Sequence, residues 1–163
     1  MPNAISLLVL DVDGVLTDGR LYFGPRGEAL KVFHVHDGQG IAQLHRAGVQ
    51  VAVISGRRSP MVAARCRELG VRHVLQGVAD KLTALARLCA RLGLQPAACA
   101  CVGDDLADVP VMRAVRLSFA VADAHREVRR AAHVVTRRRG GHGAVREVCD
   151  HLLALRARRA RAR

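Results

Sequence analysis

Asp11 and Asp13 stand two residues apart directly after a short apolar run, and Asp104, Asp105 and Asp108 follow another such run. Between them in the chain lie Ser55-Gly56-Arg57, again at the end of an apolar run, and an isolated Lys81. Carboxylates gathered in this way repel one another unless a cation neutralises them. Hard oxygen ligands in a small cluster, with space for phosphate oxygens and water, suit Mg²⁺. A carboxylate beside such an ion can attack a phosphoryl group. A second carboxylate two residues on can protonate the departing alkoxide and then activate water. A serine hydroxyl with nearby backbone N–H groups can hold phosphoryl oxygens, and a lysine can neutralise the charge spread over them.

Each part alone has a plainer reading. Asp37, Asp80 and Asp104 are each placed to cap a following helix. A lone Ser-Gly is ordinarily a turn, and a lone lysine a solvated surface charge. The ordered set D-x-D, S-G-R, K, G-D-D-x-x-D is what points to chemistry.

These residues need a scaffold that brings strand ends together. Strand-like apolar runs occur at 6–10, 49–54, 71–75, 98–102, 117–121 and 133–136, separated by helical patterns at about 38–48, 59–69, 79–93, 106–114, 124–131 and 142–157. Alternation of this kind predicts a doubly wound, mostly parallel α/β sheet. Ligands of such sheets bind at the carboxyl ends of the strands, where all the groups above fall. One segment breaks the alternation. Residues 19–36 hold two strand-like pieces, 20–23 and 29–35, around Gly24-Pro25-Arg26-Gly27, which predicts a β-hairpin flap beside Asp11 and Asp13. On that reading His34 and His36 lie on one face of a strand, where they line a subunit interface or touch substrate. A receiver domain of two-component signalling shares much of this residue set. Its phosphorylated Asp, however, ends the third strand, and here that strand leads to Gln76-Gly77.

Half of the 163 residues are apolar, enough for one core, but there are only one Tyr, three Phe and no Trp. The interior must therefore be Val, Leu, Ala and Ile. A single domain over 1–155 and a disordered basic tail at 156–163 are expected. The formal charge is +12, carried by 24 Arg and only two Lys, Lys31 and Lys81. The Arg runs are not interleaved with aromatics, and no zinc or RNA-binding pattern accompanies them, so nucleic-acid association is not the expected main function. A salt-sensitive association through the tail is the non-enzymatic alternative. The five Cys form no C-x-x-C pair and are expected to be reduced, buried thiols. No apolar run approaches the roughly 20 residues that span a bilayer, so a cytoplasmic protein is expected.

The motifs resemble those of haloacid dehalogenase phosphatases. LDVDGVLTDG (10–19), ISGR (54–57), Lys81 in QGVADK, and GDDLADVP (103–110) are similar to that superfamily's four motifs. FHVHDGQG (33–40), SFAVADAH (118–125) and GGHGAVRE (140–147) resemble the capless subgroup that contains 3-deoxy-D-manno-octulosonate 8-phosphate (KDO 8-phosphate) phosphatase. The resemblance implies Asp11 as nucleophile and Asp13 as acid/base. It implies Mg²⁺ held by Asp11, the Asp13 carbonyl and Asp104, supported by Asp105 or Asp108. Ser55 and Lys81 would bind the phosphoryl group, and His34, Val35, His36, Asp37, Gly38, Gly56, Arg57 and Arg65 would contact substrate with Asp13. It further implies a homotetramer in which a neighbour's C-terminal segment covers the site, with Gly140, Gly141 and Gly143 giving that segment freedom to reach in. The implied substrate is KDO 8-phosphate, a lipopolysaccharide precursor. The alternative is the 9-phosphate of a nine-carbon, sialic-acid-like ketoacid. Three departures bear on that choice: His36, Ala42 and His142 stand where Arg or Lys is frequent in the subgroup.

Overall fold

The computed structural model describes residues 5–161. Its centre is a six-stranded sheet of β1 (Leu7–Leu10), β4 (Gln50–Ser55), β5 (His73–Gln76), β6 (Cys99–Gly103), β7 (Leu117–Ala120) and β8 (Val134–Val135). The spatial order is β5-β4-β1-β6-β7-β8, and every pairing is parallel. Leu7 pairs with both Gln50 and Cys99, which fixes the register of the three central strands. β1 is covered on both faces: Leu7, Leu8 and Leu10 are fully buried and Val9 nearly so. That is why it reads as an unbroken apolar run rather than an alternating one. The buried apolar residues form one contiguous core, and all five cysteines are free and buried.

The chain leaves β1 toward β4 and β5, then crosses back to build β6, β7 and β8 on the other side. The carboxyl end of β1, flanked by those of β4 and β6, is therefore the crevice of this sheet. The helices are α1 (Val35–Arg46), α2 (Pro60–Glu68), α3 (Lys81–Leu92), α4 (Val109–Ala114), α5 (Arg126–Ala131) and α6 (Ala144–Arg161). α3 shows how sequence places a site residue. Asp80 caps it by accepting the Thr83 N–H at 3.1 Å, and Ala84, Leu85, Leu88 and Cys89 bury one face. Lys81 is thereby fixed in the first turn, at the crevice.

The flap is a two-stranded hairpin, β2 (Tyr22–Gly24) and β3 (Gly27–Leu30), joined by Pro25-Arg26. Its second strand ends at Leu30 and does not continue to Val35 as the apolar pattern suggested. The His34 side chain accepts the His36 N–H, so His34 caps α1, which begins at Val35. His34 and His36 are thus a helix cap and a first-turn residue, not neighbours on a strand.

The C-terminal segment also differs from expectation. α6 continues to Arg161, so residues 156–161 are helix rather than disordered tail; residues 162 and 163 lie outside the described residues. Ala and Arg are strong helix formers, and cations suit a helix C-terminus. Arg156 also donates to the Ile5 carbonyl at 3.4 Å. Among the described residues no helix is long and apolar enough to cross a membrane.

Candidate active site

Asp11 follows β1, Ser55 ends β4, Asp104 follows β6, and Lys81 enters from α3. Lys81 Nζ lies 3.0 Å from Asp11 Oδ2 and 2.7 Å from Asp108 Oδ1, tying three distant parts of the chain together. The other Asp108 oxygen accepts the backbone N–H groups of Asp104 (3.0 Å) and Asp105 (3.3 Å). Asp108 therefore shapes the loop that carries Asp104. The loop after β7 holds the same residue from the other side, where the His125 N–H donates to the Asp104 carbonyl at 2.8 Å.

Asp11, Asp104 and Asp108 each offer a carboxylate oxygen within 4.8 Å of the others. Burial, followed by Asp108, raises the Asp11 carboxyl to about 6, although Lys81 opposes the shift. Burial and then the Asp11, Asp108 and Asp105 carboxylates push Asp104 to about 8. Lys81 is pulled down by burial, but Asp11 and Asp108 outweigh that and raise it above an ordinary lysine. With all three carboxylates ionised, one ammonium leaves two negative charges in the cluster. A divalent ion with oxygen ligands balances them, so the residues present fit Mg²⁺.

Backbone close approaches hold the cluster. Gly14 has φ +86°, and a Cβ there would lie 2.0 Å from Asp104 Oδ2. A Cβ on Gly140 would lie 1.7 Å from the Gly14 carbonyl oxygen, and the Gly141 N–H donates to the Val15 carbonyl at 3.0 Å. The glycines at 140 and 141 therefore press their segment onto the Asp11–Asp18 loop of their own chain. Their purpose is close packing, not the freedom to reach a neighbour.

The other expected residues divide clearly. Ser55 is buried, and its carbonyl accepts the Val78 N–H at 3.0 Å; the Gly77 N–H donates to the Arg57 carbonyl at 3.1 Å. These two bonds stitch the Ser55-Gly56-Arg57 turn to the loop that leads into Lys81. Arg65 reaches the first turn of α1, where a Cβ on Gly38 would meet its Nη2 at 2.6 Å. Val35 and His36 are exposed. His36 lines a groove of about 870 Å³ with Arg137, Arg138 and Arg146. Asp37 is 1 % exposed, and its Oδ1 accepts the Arg146 N–H at 2.8 Å in the first turn of α6, so it joins α1 to α6. Asp105 is exposed and caps the short turn after it through the Leu106 N–H (2.7 Å). Of the two expected supporting carboxylates, Asp108 is thus the one in the cluster.

The Asp13 carboxylate stands apart from the three, engaged by Lys31 from the hairpin and by Arg57 Nε at 3.6 Å. Glu28 completes this second group, 2.9 Å from Lys31 Nζ and 3.5 Å from Arg57 Nη2. Sequence reasoning missed Lys31 and Glu28. One signal was present: a chain that otherwise uses Arg for its cations keeps just two lysines, and both face active-site carboxylates.

A parallel sheet whose crevice gathers this carboxylate cluster, with a lysine from the next helix and a hairpin in place of a lid domain, is a haloacid dehalogenase-like hydrolase. Residues 71–148 match the haloacid dehalogenase-like hydrolase family. The 3-deoxy-D-manno-octulosonate 8-phosphate phosphatase KdsC of Yersinia pestis is 52 % identical over 149 residues, 91 % of this chain and 80 % of that protein. The crystal structure of the Yersinia pestis enzyme superposes with a TM-score of 0.91 at 51 % identity, covering 94 % of this chain and 83 % of the other. A Moraxella catarrhalis enzyme of the same name, in complex with magnesium ion, phosphate ion and KDO, gives 0.91 at 40 % identity over 94 % and 88 % of the two chains. The chain belongs to the 3-deoxy-D-manno-octulosonate 8-phosphate phosphatase family.

Proposed function

We propose that this protein hydrolyses KDO 8-phosphate to KDO and phosphate with Mg²⁺ as cofactor, as a cytoplasmic homotetramer. The observation that carries the reading is the gathering of Asp11, Asp104 and Asp108 into one cluster, with Lys81 bridging Asp11 and Asp108. Asp11, the Asp13 carbonyl and Asp104 would hold the metal, which would supply neutralisation of charge on the phosphoryl oxygens. Asp11, its Oδ1 held by the Val12 N–H at 2.7 Å, attacks phosphorus as the bond to the C8 oxygen breaks. Asp13 gives that oxygen its proton, leaving an aspartyl-phosphate on Asp11. Asp13 then takes a proton from water as the water attacks phosphorus, which releases phosphate and restores Asp11. Ser55 and Lys81 hold the phosphoryl oxygens throughout.

Two features support the oligomer. The hairpin and the segment after it expose Leu21, Phe23, Leu30, Val32 and Val35, an apolar surface suited to another subunit. α6 starts at the crevice and runs about 27 Å away from it, so its far end lies too far from its own crevice to cover it and is placed to meet another subunit. For the sugar-acid carboxylate, the groove that His36 shares with Glu147 and Asp150 also holds the Arg137 and Arg138 guanidinium groups, cations where Arg is frequent at position 36 in the family. That same substitution favours a second reading, a nine-carbon ketoacid 9-phosphate as substrate. Phosphate release from both compounds with Mg²⁺, beside Asp11→Asn, tests the proposal. Turnover of KDO 8-phosphate that Asp11→Asn abolishes supports it. Turnover unchanged in Asp11→Asn refutes the mechanism, and a preference for the nine-carbon compound refutes the substrate.

A further inference from the structure

The hairpin does more than cover a surface, because it sends a buried ammonium into the site. The Lys31 side chain is 1 % exposed although it directly follows β3, a strand of a projecting flap. Its Nζ donates to Asp13 Oδ1 and lies 2.9 Å from Glu28 Oε1. The opposite Asp13 oxygen, Oδ2, has only the 3.6 Å approach of Arg57 Nε, beyond a normal hydrogen bond. Arg57 in turn reaches Glu28 Oε1 at 3.5 Å, so one hairpin carboxylate braces both cations. Burial works against the Glu28 charge, but the nearby Ser59 hydroxyl and the Lys31 and Arg57 cations outweigh it and hold its carboxyl below the usual range. Glu28 therefore stays a fixed anion, and Lys31 is held between two carboxylates with little room to turn.

An aspartate that passes a proton in two directions needs one oxygen anchored and the other free at the reacting atoms. We propose that Lys31 is the positioning residue for Asp13: it anchors Oδ1 so that Oδ2 exchanges the proton with the leaving oxygen and then with water. The flap is thereby part of the proton-transfer apparatus. This rests on the acid/base role given to Asp13 above.

A general acid matters most when the leaving group is a poor one. The test compares kcat/KM for KDO 8-phosphate, an alkyl ester, with that for p-nitrophenyl phosphate, whose leaving group departs without a proton. Because kcat/KM covers the steps up to loss of the leaving group, it isolates protonation by Asp13. Lys31→Met is expected to lower the alkyl-to-aryl ratio at least about 10-fold, a part of the roughly 10²–10⁴-fold that a general acid contributes. Lys31→Arg is expected to recover most of the ratio, and Asp13→Asn to lower it further. Lys31→Gln, a polar replacement, serves if the Met variant folds poorly. Equal losses on both substrates in the Lys31 variants, with the ratio changed in Asp13→Asn, would overturn the inference and leave the function standing. An unchanged ratio in Asp13→Asn would remove the acid/base role itself.

Discussion

Adding Mg²⁺ to the metal-free protein at pH 7 is expected to release about one proton per site. With Asp104 raised to about 8 and Asp11 to about 6, roughly 90 % of the first and roughly 10 % of the second are protonated at pH 7. Both must be ionised to ligate the metal, so both protons leave. Affinity should therefore rise close to tenfold per pH step near 7 and level off above about 8. Stability follows the same linkage. An unfolded Asp has lost its proton by about pH 5, whereas the folded, metal-free protein keeps the one on Asp104 up to about 8. The folded state thus binds more protons than the unfolded state across that interval, and metal-free stability falls as pH rises from about 4 to 8. Mg²⁺ removes the cause of the loss, so the rise in melting temperature on adding Mg²⁺ should grow between pH 6 and 8. Calorimetric titration of Mg²⁺ in buffers of different ionisation enthalpy counts the protons directly. About one at pH 7 and about half of one at pH 8 are expected. A heat of binding at pH 7 that is independent of the buffer would refute the reasoning.

Lys81→Met leaves Asp11 and Asp108 buried without their shared cation. It should cost about 3–5 kcal/mol in urea unfolding of the metal-free protein, with part of the loss recovered by Mg²⁺. A loss equally large with and without metal would count against the charge argument. Gly140→Ala puts a methyl group 1.7 Å from the Gly14 carbonyl, where only backbone can yield. It should destabilise by about 1–3 kcal/mol or more and lower kcat, read by denaturant midpoint and steady-state assay. Leu85→Ala, at a fully buried position of α3, should cost about 2–5 kcal/mol by urea midpoint while kcat stays within a few-fold of wild type.

The strands and the carboxylate cluster were legible because each motif sits at the end of an apolar run, and parallel strands collect such ends on one edge. Asp11, Ser55 and Asp104 fall there by that rule alone, whereas Lys81 arrives on the first turn of α3. The hairpin was less legible. In KVFHVH the β-branched residues continue the strand pattern, and the helix start at Val35 depends on a His34 side chain turning back onto the backbone. Asp37 reads as a cap or a ligand by type, but its partner, the Arg146 N–H, lies 109 residues away and no local pattern announces it. The same holds for Lys31. Its burial comes from the flap folding back onto Asp13, a tertiary event that the alternation of a short exposed strand does not encode. The 140–143 glycines looked like a hinge because glycine serves flexibility and tight packing equally. The Gly14 contact separates the two.

The scarcity of lysine has a practical consequence. A reagent that acylates primary amines ignores the guanidinium groups that dominate this chain, leaving as lysine targets two side chains only 1 % and 8 % exposed. Acylation at residue 31 would then report how often the flap lifts, and at residue 81 how often the crevice opens to solvent. A timed pulse read by peptide mass spectrometry would give both opening rates from one sample, without an engineered probe.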